Sequence, residues 1–193
     1  DMYTMGKHVK QFEQEFAEYF GAEDAVMVNS GSTADLMMLS LLKWKYWLDK
    51  KEDANIIVPC VGWSTTFFPV SQNGFILNFV DVDPETYNID VNKIEAAIDS
   101  GTVAIMPVNL CGNPCNFTVL NAICAKHDLV LIEDNCESMG AKFGDKYTGN
   151  IGHLGSHSFF FSHHIQTMEG GMVCVRDKDC LLYTSDAADE LRS

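Results

Sequence analysis

His163 and His164 stand between the aromatic run Phe159-Phe160-Phe161 and the turn Glu169-Gly170-Gly171. An imidazole changes charge near neutral pH, so a histidine here can move protons during a reaction. It cannot form a Schiff base, and therefore cannot tether a carbonyl compound as a lysine would. Asp134 closes the run Asp128-Leu-Val-Leu-Ile-Glu-Asp134, and Glu137 follows three residues later. A carboxylate in that place either pairs with a cationic ligand group, such as a protonated ring nitrogen, or caps the next turn. Asn29-Ser30-Gly31-Ser32-Thr33 follows another apolar run and opens a helical pattern. Its small residues either gather free amides and hydroxyls around an anion or cap a helix that binds nothing.

Trp63, after Pro59 and Gly62, carries an indole that would stack on a flat heterocycle or fill the core. The other conspicuous residues read as ordinary ones. The Ser30 to Thr33 segment lacks the Gly-Lys-Ser/Thr ending of a nucleotide phosphate loop, and Gly149-x-x-Gly152-x-x-Gly155 lacks the spacing of a dinucleotide fingerprint. His153, His157, His163 and His164 fall within twelve positions, but no carboxylate or cysteine spacing completes a metal site, and none is expected. Cys60, Cys111, Cys115, Cys124, Cys136, Cys174 and Cys180 are odd in number and lack C-x-x-C spacing, so they read as reduced thiols. Asp81 and Asp83 flank a turn at Pro84.

Short apolar runs alternate with helical stretches and must position these groups. The first helix carries Val9, Phe12, Phe16 and Tyr19 at helical spacing and stops at Gly21. Strands are expected at Ala25 to Val28, Asn55 to Val58, Ile76 to Val80, Val103 to Val108, Leu129 to Glu133, Ser156 to Phe161 and Met172 to Val175. Helices are expected at Thr33 to Leu48, Ser64 to Asn73, Val91 to Ile98 and Thr118 to His127. Buried strands separated by helices imply an α/β fold, a mostly parallel sheet covered on both faces, with ligands at the carboxyl ends of its strands.

At 193 residues and 47% hydrophobic content the chain can bury one sizeable core. A formal charge of −14 excludes a basic footprint for nucleic acid or anionic membrane, while a small phosphorylated ligand remains compatible through backbone amides. No apolar run is long enough to span a bilayer and no signal segment opens the chain, so a cytoplasmic protein is expected. Residues 180–193 look like the translation of a sequencing adaptor and are set apart from fold reasoning, leaving residues 1–179 as the folded part. A native helix opening at Thr184 or Ser185 is the other reading of that stretch.

The order of these groups, a small-residue cup at Ser32, then Trp63, Asp134-Asn-Cys-Glu137, Ser158, His163 and Glu169-Gly170-Gly171, resembles the sugar aminotransferases of the DegT/DnrJ/EryC1/StrS family from Tyr3 to Arg176. The resemblance implies the three-layer α/β/α large domain of a fold-type-I enzyme dependent on pyridoxal 5'-phosphate, cut off before a small carboxy-terminal domain. It implies that Gly31, Ser32, Thr33 and Ser158 hold the cofactor phosphate, that Trp63 stacks on the ring, that Asp134 binds its nitrogen and that Glu137 lies near cofactor and substrate.

The slot of the cofactor-binding lysine holds His163, which points to the family's histidine-bearing branch, the nucleotide-sugar 3-dehydratases. Their reaction uses pyridoxal and pyridoxamine 5'-phosphate, glutamate and a nucleotide-linked 4-keto-6-deoxyhexose, in a homodimer serving deoxysugar and lipopolysaccharide O-antigen synthesis. Met172 after the glycine pair and Trp63 in the stacking slot favour the cluster-free type over the iron-sulfur relatives. An aminotransferase with Lys142 or Lys146 displaced into the site, and a non-catalytic cofactor-binding relative, are the remaining alternatives.

Overall fold

The computed structural model describes residues 6–46 and 53–176. In chain order the main elements are α1 (Lys7–Phe20), β1 (Asp24–Val28), α2 (Gly31–Tyr46), β2 (Asn55–Pro59), α3 (Ser64–Gln72), β3 (Ile76–Val80), α4 (Val91–Ala97), β4 (Thr102–Ile105), α5 (Phe117–His127), β5 (Val130–Asp134), β6 (Lys142–Phe143), β7 (Lys146–Tyr147), β8 (Leu154–Ser158) and β9 (Gly171–Val175). Seven strands form one sheet in the order β1-β9-β8-β5-β4-β2-β3. β8, β5, β4, β2 and β3 pair in parallel, and β9 alone runs against both of its neighbours. The expected mostly parallel α/β sheet is therefore present, and residues 180–193 lie outside the described part.

Period-two alternation assigns the strand side chains to two faces. Ile56, Val58, Ala104, Val130, Ile132 and Leu154 pack with Met38, Leu39 and Leu42 of α2. Ile57, Ile105 and Leu131 point the other way, to Ile94 of α4 and Leu120 and Ile123 of α5. The third cluster joins Phe16, Ala17 and Phe20 of α1 to Phe159, Met172 and Cys174. On β5 the same alternation sends Glu133 and Asp134 to opposite faces at the strand's carboxyl end.

Four expectations change. Tyr19 is exposed, and Phe20 takes the core position because the buried stripe of α1 runs through Phe16, Ala17 and Phe20. The strand expected at Ser156 to Phe161 spans Leu154–Ser158, since the Ser158 hydroxyl accepts the Phe160 amide at 3.3 Å and the chain turns there. The strand expected at Val103 to Val108 ends at Ile105, with Val108 keeping a single bridge to Asp134. The helix expected at Thr33 to Leu48 begins earlier, at Gly31, and its expected last two residues fall outside the described part. The small hairpin β6–β7 has two-residue strands, too short to show a period.

Candidate active site

The carboxyl ends of β1, β5 and β8 and the amino ends of α2 and α3 surround a cavity of about 400 Å³. Ser30 caps α2: its hydroxyl accepts the Thr33 amide at 3.1 Å and lies 3.0 Å from the Thr33 hydroxyl. Gly31 and Ser32 line the cavity, where first-turn amides have no helical partner, whereas Thr33 is not among the lining residues and is engaged with Ser30. A Cβ at Gly31 would sit 2.6 Å from the Cβ of Ser158, so only glycine lets the α2 amino end close against β8. A Cβ at Gly171 would collide with the Ser30 carbonyl, which accounts for the second glycine of the Glu169-Gly170-Gly171 turn.

Asp134 ends β5 buried on the cavity wall. Its carboxylate accepts the Thr66 hydroxyl at 2.6 Å and the Cys136 amide at 3.1 Å. Trp63, immediately before α3, is 69% exposed at the cavity mouth. Glu137 lines the cavity and accepts the Cys111 amide at 3.2 Å. His163 is half-buried on the wall, its amide donating to the Phe160 carbonyl at 2.9 Å, while His164 is exposed and off the wall. Ser158 is buried on the opposite side of the cup from Gly31. Seven of the eight anticipated residues thus meet around one cavity, and Thr33 is the one that does not.

Among the described residues no lysine lines this cavity. Lys142 sits over the Tyr147 ring at 4.3 Å, and Lys146 borders a separate surface hollow with Tyr19, so neither is displaced into the site. The histidine run does not converge either. His153 accepts the Leu131 amide at 3.1 Å, and His157 is buried against Phe16 and Phe20. Burial depresses His157 from 6.5 to about 3, so the ring is neutral.

Several wall residues escape sequence reasoning. Thr66 reads as one hydroxyl among several in Ser64-Thr65-Thr66. Asp35 is a carboxyl on the otherwise apolar inner face of α2, among Ala34, Met38, Leu39 and Leu42, and that misfit is the signal that could have found it. It is 1% exposed, one of its oxygens has no hydrogen-bond partner, and burial followed by the charge of Asp134 lifts it well above the ordinary carboxylate range. Cys136 and Glu169 also reach the wall. Burial, then the carboxylates of Asp134 and Asp35, push the Cys136 thiol up and keep it protonated.

A cup of small residues, a buried carboxylate behind it, an indole at the mouth and an imidazole on the wall can hold a flat phosphorylated heterocycle and move protons beside it. Residues 1–184 match the DegT/DnrJ/EryC1/StrS aminotransferase family. The chain belongs to that family. Within it, the chain is 49% identical over 179 residues to the GDP-4-keto-6-deoxy-D-mannose 3-dehydratase of Yersinia pseudotuberculosis, covering 93% of this chain and 46% of that protein. The Escherichia coli GDP-4-keto-6-deoxy-D-mannose-3-dehydratase, solved with bound hydrated pyridoxal phosphate, superposes with a TM-score of 0.87 at 49% identity, over 93% of this chain and 46% of that one. A mutant of GDP-4-keto-6-deoxymannose-3-dehydratase with bound GDP-perosamine superposes with a TM-score of 0.88 at 48% identity, over the same shares. The chain thus spans about half the length of these relatives.

Proposed function

We propose that this chain is the cofactor-binding part of a pyridoxal phosphate-dependent nucleotide-sugar 3-dehydratase that removes the C3 hydroxyl of GDP-4-keto-6-deoxymannose, with glutamate as amino donor. The observation that carries the reading is His163 on a cavity wall that no described lysine reaches. The residues fit the cofactor: the Gly31 to Ser158 closure forms a cup for a phosphate, and buried Asp134, held by Thr66 and the Cys136 amide, faces the cavity. Pyridoxal 5'-phosphate bound there, alternating with pyridoxamine 5'-phosphate, supplies an electron sink.

Gly31, Ser32 and Ser158 hold the phosphate, with Thr33 contributing only through its bonds to the cap. Asp134 keeps a proton on the ring nitrogen, and Trp63 covers one face of the ring. His163 moves the proton at the cofactor's C4' carbon and delivers one to the departing C3 hydroxyl oxygen. Glu137 borders the substrate side. A wall that no described lysine reaches would leave the cofactor untethered, which suits a reaction that ends in release of ammonia and a 3-deoxy ketosugar.

The substrate, the homodimer, the cytoplasmic setting and a place in lipopolysaccharide O-antigen synthesis belong to the same reading. Phe68, Phe161, Ile165 and Met168 are each more than half exposed, and Phe161, Ile165 and Met168 flank His163 in sequence, an apolar surface that suits a second subunit. No helix among the described residues is long and apolar enough to cross a membrane, and the charge of −14 disfavours nucleic acid as a partner.

The test supplies the full-length protein with pyridoxal phosphate, nitrogen-labelled glutamate and GDP-4-keto-6-deoxymannose. Label in ammonia with a 3-deoxy sugar is expected, and label retained in the sugar would make it an aminotransferase. His163→Asn is expected to slow dehydration by about a thousandfold or more while cofactor binding persists. Retained turnover would remove His163 from its role.

A further inference from the structure

Asp35 and Asp134 bring two carboxyl groups together on the inner wall of the cavity, where they are only 1% and 4% exposed. One oxygen of each, together with the Cys136 sulfur, lies in a cluster whose members are all within 4.8 Å of one another. Asp134 has two hydrogen-bond donors, Thr66 and the Cys136 amide, but one oxygen of Asp35 has none. Two adjacent buried carboxyls cannot both be ionised cheaply, and the donors decide which one keeps the charge. We infer that Asp35 and Asp134 form a dyad sharing one proton, held on Asp35, so that the ring nitrogen of the cofactor faces one negative charge and not two.

The surroundings supply no counter-charge that would reverse this. α3 has no titratable residue, and β8 offers Ser156, a hydroxyl beside the Asp35 carboxyl. β9 carries only Cys174, which packs on the other face of the sheet, and Asp24 of β1 sits at the far end of that strand, opposite Val175. Cys136 follows β5 as a neutral thiol. His163, Glu137 and Glu169 share the cavity, but among the described residues no lysine or arginine does. Burial and the Asp134 charge both push the Asp35 carboxyl upward, in line with the geometry. Asp35 is then a positioning residue: it acts on the cofactor through Asp134 and sets the charge that Asp134 presents.

The inference rests on the reading of Asp134 as the ring-nitrogen partner, and the two are tested apart. Infrared spectra of the full-length protein without cofactor at pH 7 should show a protonated-carboxyl carbonyl band that shifts in heavy water and is missing from Asp35→Asn. Superimposable wild-type and variant spectra would overturn the dyad. In Asp134→Asn the like charge is gone, so the band should disappear at lower pH than in wild type; an unchanged midpoint would also overturn it, and this variant serves if Asp35→Asn does not fold. With pyridoxal phosphate added, wild-type affinity should tighten by about tenfold across that midpoint as the second charge appears, a change absent in Asp35→Asn. Parallel pH dependences would remove the functional role. Unaltered cofactor affinity in Asp134→Asn would instead reject the ring-nitrogen reading and leave the proton count standing.

Discussion

Glu133 and Asp134 are consecutive residues of one strand, both buried, and the molecule treats them in opposite ways. Glu133 faces the loop before β8 and is saturated: it accepts the amides of Ile151 at 2.5 Å, Gly152 at 2.6 Å and Gly149 at 2.7 Å, and the Asn109 side chain at 3.3 Å. Asp134 faces the cavity with two donors and a second carboxyl beside it. Burial raises Glu133 while its donors pull it back, so a closed polar network offsets part of the cost of placing the group inside the protein. The Asp134 side lacks that closure, and polar groups left short of partners mark the face where a ligand completes the structure. The contrast teaches that carboxylates one residue apart can divide between holding the fold and doing chemistry.

The largest test of this division removes Glu133. Glu133→Ala strands three backbone amides in a dry interior and takes one of two acceptors from the Asn109 amide group, and should cost about 3–5 kcal/mol of stability. Urea unfolding of the full-length protein measures it, and a loss under about 1 kcal/mol would mean that the loop finds other acceptors. A smaller effect comes from His157, which stands behind the same loop with Asn135 3.3 Å from its Nδ1 and no partner for Nε2. Its folded value of about 3 lies below the ordinary 6.5, so the unfolded chain binds the extra proton between those values and stability falls as pH drops through that window. The loss from about pH 7 to about pH 5 should be about 2 kcal/mol. His157→Phe should flatten that slope in unfolding curves taken across the range, and an unchanged slope would assign it to other groups.

Much of this arrangement was legible in the sequence, for physical reasons. Buried parallel strands are continuous apolar runs, so β5 was expected within one residue of its observed bounds, while the edge strand Ile76–Val80, largely open to solvent, was expected at its bounds from its short run between Gly74 and Asp81. Asp134 was legible as a carboxylate that ends such a run, with turn capping as the other reading, and it both accepts the Cys136 amide of the next turn and lines the cavity. Period and composition say nothing about closure between distant segments. The approach of Gly31 to Ser158, the Thr66 bond to Asp134 and the neighbourhood of Asp35 each join residues at least 68 positions apart. A cap and an anion cup share one composition, so the bond that engages the Thr33 amide with the Ser30 hydroxyl was not legible in the sequence.

The smallest expected effect is the sharpest comparison with Glu133. Asp134→Asn keeps an acceptor for Thr66 or for the Cys136 amide, removes the single charge of the dyad, and releases Asp35 from the repulsion that holds it protonated. In the folded protein Asp35 keeps its proton above the ordinary 3.8, so the unfolded chain is favoured increasingly as pH rises through that interval, and easing the shift returns stability. The lost charge-assisted bonds oppose that gain. The balance should lie within about 1 kcal/mol of wild type in urea unfolding at neutral pH, against several for Glu133→Ala. A cost as large as that of Glu133 would mean that Asp134 also carries the fold, and the two faces of β5 would then not divide the work.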